Sequence, residues 1–462
     1  MAQKVTSNTA TDVPCSQSTK KESRMEQTTN SIFSNKSFTL LIIGQIISLL
    51  GSIVQRFALS LYVLATTGSG TMFASVLAIS LIPTILLGPV AGVIADRYNK
   101  RNIMVILDIL SAIVVGGMIF LAMDGGLSMT AIYACALLLS VFTAFYEPTV
   151  QASIPALVKG GEDQLLQANS LNSIIMTLSN LIGPVIAGVL YASMGLEAIL
   201  LINAISFLAV AFLEMFMVIP QAKLEQSGSI LKDFTNDFSQ GYNYLRSDKY
   251  LHKLLTATLV ANVFIAPIFT VGVAYVTKMT LKVSDQMYGL SEGIIMAGSL
   301  MAPIIVGLFT KKLDVKNTFF YAIMLSGLFL TTAGAVIWPA FASQFGTATV
   351  PFWLFTASGF GIVAVITTFN IVGITMVQND TPGEMLGRVM SLITSLVMAA
   401  TPLGQMMFGV LFDRYADNSQ IPLLIAAAVT ILLAVYVRIS MSGYQAKERK
   451  AEEGESTPSA SA

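Results

Sequence analysis

Arg56, Asp108, Glu147, Glu214 and Glu292 interrupt long apolar stretches of this chain. An ionisable group in an apolar stretch is costly, so each is a candidate for ion or substrate handling. A carboxylate removed from water can take up and release a proton, and an arginine can hold an anion. Arg56 falls 18 residues into the first apolar stretch, about 27 Å along a helix at 1.5 Å per residue. Such a depth calls for a wet cavity or a partner. Glu147 falls 18 residues into the fourth stretch, and Glu292 near the start of the eighth. Arg56, Glu147 and Glu292 are therefore expected to serve proton coupling or to line a substrate cavity. The depths of Arg56 and Glu147 differ, so spacing alone does not pair them. Asp108 is expected to pair with Arg97, Lys100 or Arg101, and Glu214 to reach the interface near the end of its stretch.

Other chemistries have little to work with. His252 is the only histidine, which removes the common zinc constellations, and Cys15 and Cys135 are the only cysteines. No GxxxxGK[ST] loop is present, so no nucleotide site of that type is expected. We expect no cofactor, no metal and no enzymatic reaction. Lys and Arg number 26 and Asp and Glu 26, a balance that gives no attraction for nucleic acid.

The elements that must position these residues are membrane helices. Hydrophobic residues make up 54% of the 462 and charged residues 11%, against about 25% charged in soluble chains. Fifteen of the 52 charges lie in residues 1–36 and 442–462. Twelve segments are long and apolar enough to cross a bilayer: 38–66, 71–95, 103–123, 129–157, 165–192, 196–218, 250–277, 287–310, 318–338, 350–378, 387–411 and 420–441. The expected organisation is a polar, disordered tail (1–36), a six-helix bundle (37–218), a linker (219–249), a second bundle (250–441) and a tail (442–462). In the linker Ile230, Leu231, Phe234, Phe238 and Leu245 fall near helical spacing, predicting an amphipathic helix on the membrane surface. No apolar h-region opens the chain, so no cleaved signal peptide is expected. With the N-terminus inside, 22 of the 26 cations fall on inner segments, which predicts both termini cytoplasmic.

The halves repeat. Gly183 and Gly188-Val189-Leu190 match Gly404 and Gly409-Val410-Leu411 at an offset of 221 residues. Gly92 has a counterpart in Gly307. A six-helix unit repeated in one orientation points to a transporter whose site lies between the halves near mid-membrane.

The loop Gly92-Val93-Ile94-Ala95-Asp96-Arg97-Tyr98-Asn99-Lys100-Arg101 carries the most specific signal. It resembles the G-x-x-x-D-R-x-x-R/K-R signature of the major facilitator superfamily, between its second and third helices. Gly92 would allow close helix approach, Asp96 could cap a helix of the other half, and the cations would face acidic groups; Asp108 joins Arg97, Lys100 and Arg101 in this gating loop. Lys311 stands where the second copy would have its aspartate, so a capping latch is expected in the first half only. Further stretches look like the macrolide-efflux branch, whose relatives include siderophore exporters: Gly44-Gln45, Ser48 to Gly51, Thr67-Gly68-Ser69, Tyr146-Glu147-Pro148, Ile154-Pro155, Ala168 to Leu171, Gly183-Pro184 and Gly387 to Ser391. Gly183, Pro184 and Gly188 are similar to the exporter motif of drug antiporters in shortened form. No Arg or Lys occurs between Asn102 and Val158, whereas many drug–proton antiporters carry an arginine in the fourth helix.

The resemblance implies an all-α membrane protein of twelve helices in two bundles, working by alternating access in the cell membrane as a monomer. It implies export of a small amphipathic drug or antibiotic. Proton coupling cannot be copied from relatives that carry the helix 4 arginine; it is expected instead because the lack of an ATP site leaves an ion gradient, protons first, as the energy source. The alternatives are export of one physiological solute such as a siderophore, or a non-transporting membrane sensor.

Overall fold

A computed structural model describes residues 32–123, 126–158, 161–220, 230–309 and 315–442, without the side chains of Asp96, 230–237 and a few other positions. Both tails, most of the linker before Ile230, and the Lys311–Lys312 loop lie outside the described residues.

The apolar runs fold as helices and no strand occurs among the described residues. We label the spans α1 (Lys36–Thr67), α2 (70–97), α3 (Lys100–Met123), α4 (Met129–Leu157), α5 (162–194), α6 (196–215), α7 (Lys249–Thr280), α8 (Asp285–Leu308), α9 (Val315–Val336), α10 (Thr349–Asp380), α11 (Gly383–Arg414) and α12 (Gln420–Ser440). Among the described residues, eleven helical spans are long and apolar enough to cross a membrane. One of them, Gln164–Met215, is broken at Gly195, whose φ of 77° lies in the left-handed region that glycine tolerates. Dividing it there yields twelve spans, as the apolar runs predict.

Local chemistry sets the helix ends. The Asn35 side chain accepts from the Ser37 and Phe38 amides to start α1, while Gly68 ends it with φ 64°. Ser128 caps α4 through the Ala131 amide, and Ser284 caps α8 through Met287. α2 steps sideways at Ser80–Leu81, where the Ser140 hydroxyl of α4 donates to the Ser80 carbonyl. α7 carries two π-helical turns, Ile268–Gly272 and Val276–Thr280, just beyond Pro267.

The predicted linker helix forms over Ile230–Ser247. Its C-terminal part packs on α11. Leu245 is buried, Gly241 packs on the Arg388 carbonyl at the start of α11, and Arg388 donates to the Gln240 side chain at 2.8 Å. The linker is thereby fastened to the second half.

The halves meet at one end, the end carrying Ser69. A Cβ on Gly188 of α5 would fall 2.7 Å from the Gly289 Cα of α8. A Cβ on Gly409 of α11 would fall 2.7 Å from both the Gly70 carbonyl oxygen and the Ala74 Cβ of α2. Only small residues let helix backbones come this close in a membrane. At the opposite end, beside Lys100, Gly92 and Gly387 have nothing within 4 Å of where a Cβ would stand. The bundles are closed at the Ser69 end, while Gly92 and Gly387 at the Lys100 end stand clear of any described neighbour.

Candidate functional site

A cavity of about 230 Å³ sits inside the first half, between α1, α2, α3, α4 and α6, with Met398 of α11 also on its wall. Its exposed wall is largely apolar with polar side chains interspersed, which suits an amphipathic guest, and several of the polar groups are placed by tight side-chain contacts. Gln45 donates to Asn172, and Asn203 donates to Gln55, tying α1 to α5 and α6. The α1 segment that presents Arg56 is therefore held rigidly. Gly183 also packs against Ile53, one turn before Arg56.

Arg56 and Glu147 both line this cavity. Their charges interact, although no ion pair within 4.0 Å joins them. With α4 running opposite to α1, 18 residues into each stretch places them at different depths, yet both border the one cavity. Arg56 keeps an accessible surface although it sits deep in a helix bundle, so it faces the cavity rather than packed protein.

Asp108 also reaches the cavity, where it departs from expectation. It has no ion-pair partner among the described residues, and its Oδ2 has no hydrogen bond. Its electrostatic neighbour is another acid, Glu214 of α6. Glu214 is only 1% exposed, enclosed within the first half. Its Oε1 accepts from the Tyr146 hydroxyl at 2.8 Å, and its Oε2 is unpartnered.

Glu292 lies elsewhere. It is buried in α8 of the second half, accepts from the Tyr288 hydroxyl at 3.3 Å, and does not line the cavity. In the gating loop, Gly92 faces open space, Lys100 is 9% exposed at the start of α3, and Arg101 donates to the neighbouring Asn102 side chain. The Asp96 side chain is outside the described residues. Pro184 is buried inside α5, one turn from the Gly188–Gly289 crossing.

Sequence reasoning missed the capping contact that the structure does contain. Asp413, at the Ser69 end of α11, accepts from the Ser69 hydroxyl at 2.7 Å, the Gly70 amide at 2.6 Å and the Thr71 amide at 2.9 Å. It caps the N-terminus of α2 across the boundary between the halves. A latch was expected from the first half alone, yet this one comes from the second. Its signal was present: Gly409 to Arg414 repeats the G-x-x-x-D-R spacing of Gly92 to Arg97.

Residues 27–460 match the sequence profile of the transmembrane secretion effector family, within the major facilitator superfamily. The chain belongs to that family. It is an all-helical, multi-pass membrane transporter of the macrolide-efflux-like branch. Macrolide efflux protein A of Streptococcus pyogenes is 24% identical over 379 residues, covering 81% of this chain and 89% of that protein. The staphyloferrin A transporter of Staphylococcus aureus is 22% identical, covering 84% and 92%. Among solved structures, a bacterial homologue of the iron transporter ferroportin in its inward-facing state superposes with TM-score 0.64 at 20% identity, covering 88% of this transporter and all of that chain. The last likeness concerns the fold alone.

Proposed function

We propose that this transporter exports amphipathic small molecules, macrolide-like antibiotics among them, by proton-coupled alternating access. The observation that carries the reading is the cavity that holds Arg56 and Glu147 together beneath a closed Ser69 end. With the Lys100 end on the cytoplasmic side, as the cation distribution requires, the closed end faces outward and the cavity loads from within. A space of about 230 Å³ takes a polar head group rather than a whole macrolide. The remainder of a large substrate would extend toward the Lys100 end.

The family relatives favour efflux, and the mostly apolar cavity wall favours a broad amphipathic class over one hydrophilic solute. Export of a single siderophore is the second reading. It is favoured by the staphyloferrin A transporter's similarity and by Arg56, a cation suited to a carboxylate-rich solute.

A drug-susceptibility panel in cells lacking other pumps separates the two. Expression should raise resistance to several structurally unrelated amphipathic compounds. Resistance to none, with export of one carboxylate-rich chelator, would replace the first reading with the second.

A further inference from the structure

Asp108 and Glu214 are 2% and 1% exposed, and each keeps one carboxyl oxygen without any hydrogen-bond partner. They come from different helices, α3 and α6, and the charge of one acts on the other. The charged or titratable groups around them are few. α4 contributes Tyr146, whose hydroxyl donates to Glu214, and Glu147, whose charge is met by Arg56 of α1. On α3 itself the nearest cations are Lys100 and Arg101, two turns away, about 12 Å along the helix. No cation is therefore assigned to the acid pair.

Two carboxylates that share a buried site without a counter-ion do not both stay ionised; one proton between them removes the repulsion and supplies a donor for an orphaned oxygen. We propose that Asp108 and Glu214 form the proton-carrying site of this transporter, one carboxyl protonated and the other ionised, with the Tyr146 hydroxyl fixing the orientation of Glu214. The proposal rests on the proton-coupled reading above and relocates its proton. Glu147 has a cation beside it in Arg56, which leaves that pair to the substrate, whereas no cation faces the acid pair among the described residues. Asp108 borders the cavity and Glu214 does not. Asp108 is thus the port through which the proton enters and leaves, and Glu214 the enclosed store behind it. When the cavity opens to the cytoplasm, water reaching Asp108 takes the proton away.

The test reads the proton directly and needs no substrate. The full-length transporter, purified and reconstituted in lipid, is examined at neutral pH by infrared spectroscopy for the C=O stretch of a protonated carboxylic acid, first in sodium-free buffer. A band component is expected in the wild type that is lost or shifted in both Asp108→Asn and Glu214→Gln, shifted in Tyr146→Phe and unchanged in Glu147→Gln, while any component from Glu292 is identified by its loss in Glu292→Gln. Two single variants guard against one failing to fold, and retained helical circular dichroism qualifies each. A component absent from the wild type, or unchanged in both single variants, overturns the proposal. So does a band abolished by sodium chloride but not by choline chloride, which would assign the site to a metal cation. If the band behaves as expected while no proton-driven export is found, the acid pair stands and the proton-coupled reading falls.

Discussion

Glu147 and Arg56 carry the substrate end of this account, and neither is replaceable by size alone. Arg56 offers a planar, permanently charged donor set, so Arg56→Lys keeps charge but loses the fork. Arg56→Ala leaves Glu147 without its electrostatic partner in a site where charge is costly. Binding of an amphipathic fluorescent substrate to detergent-purified protein should weaken on the order of tenfold or more in Arg56→Ala, about 1.4 kcal/mol, and less in Arg56→Lys. Equal binding in wild type and Arg56→Ala would remove Arg56 from the substrate site. Glu147→Gln separates roles differently. If the proton resides at Asp108 and Glu214, this variant should still concentrate substrate against a gradient, with weakened apparent affinity. Complete loss of uphill transport with downhill exchange intact would return the proton to Glu147. Types of residue were legible in the sequence here, but partners were not. Nothing in the spacing of Asp108 or Glu214 told that they face each other, because that depends on how α3 and α6 are rotated about their axes.

Helix ends and crossings decide which conformation is held. The Asp413 carboxylate sits on the positive end of α2, an arrangement worth about 0.3–1 kcal/mol when exposed and up to ~2 when partly buried. Because the two partners belong to opposite halves, the contact can exist only while the Ser69 end is closed. Asp413→Asn should thus shift the population several-fold toward the state open at that end. Spin-label distances between the outer ends of α2 and α11 should lengthen in a growing fraction of molecules, and an unchanged distribution would count against the latch. The Gly188–Gly289 crossing makes a steric demand. Gly188→Val would press a branched side chain into the Gly289 backbone and should open the same end with expression preserved. Closure maintained in Gly188→Val would show that the crossing is not limiting. The helices themselves, the broken Gly195 joint and the linker helix could be anticipated from apolar periodicity and glycine. The docking of the linker on α11 could not, since the Gly241–Arg388 contact links residues far apart in sequence.

At the scale of the molecule, the two halves meet through the Gly188–Gly289 and Gly409–Gly70 crossings at the Ser69 end. The repeat predicts two halves, and the cation asymmetry predicts an orientation that labelling tests. The conformation came only with the structure, because alternate states of one sequence differ by a few kcal/mol of interface. Orientation has its own check: a cysteine at Thr130 should label from outside intact cells, and one at Tyr98 only after permeabilisation. Export driven by protons is the central claim, and vesicle flux tests it most directly. Inside-out membrane vesicles containing the transporter, energised to an acidic interior, should accumulate a radiolabelled macrolide above the external concentration. Accumulation should collapse when a protonophore dissipates the gradient, and Asp108→Asn vesicles should fail to accumulate while still exchanging substrate downhill. Accumulation that persists with the gradient dissipated, or none in any vesicle despite measurable substrate binding, would contradict it.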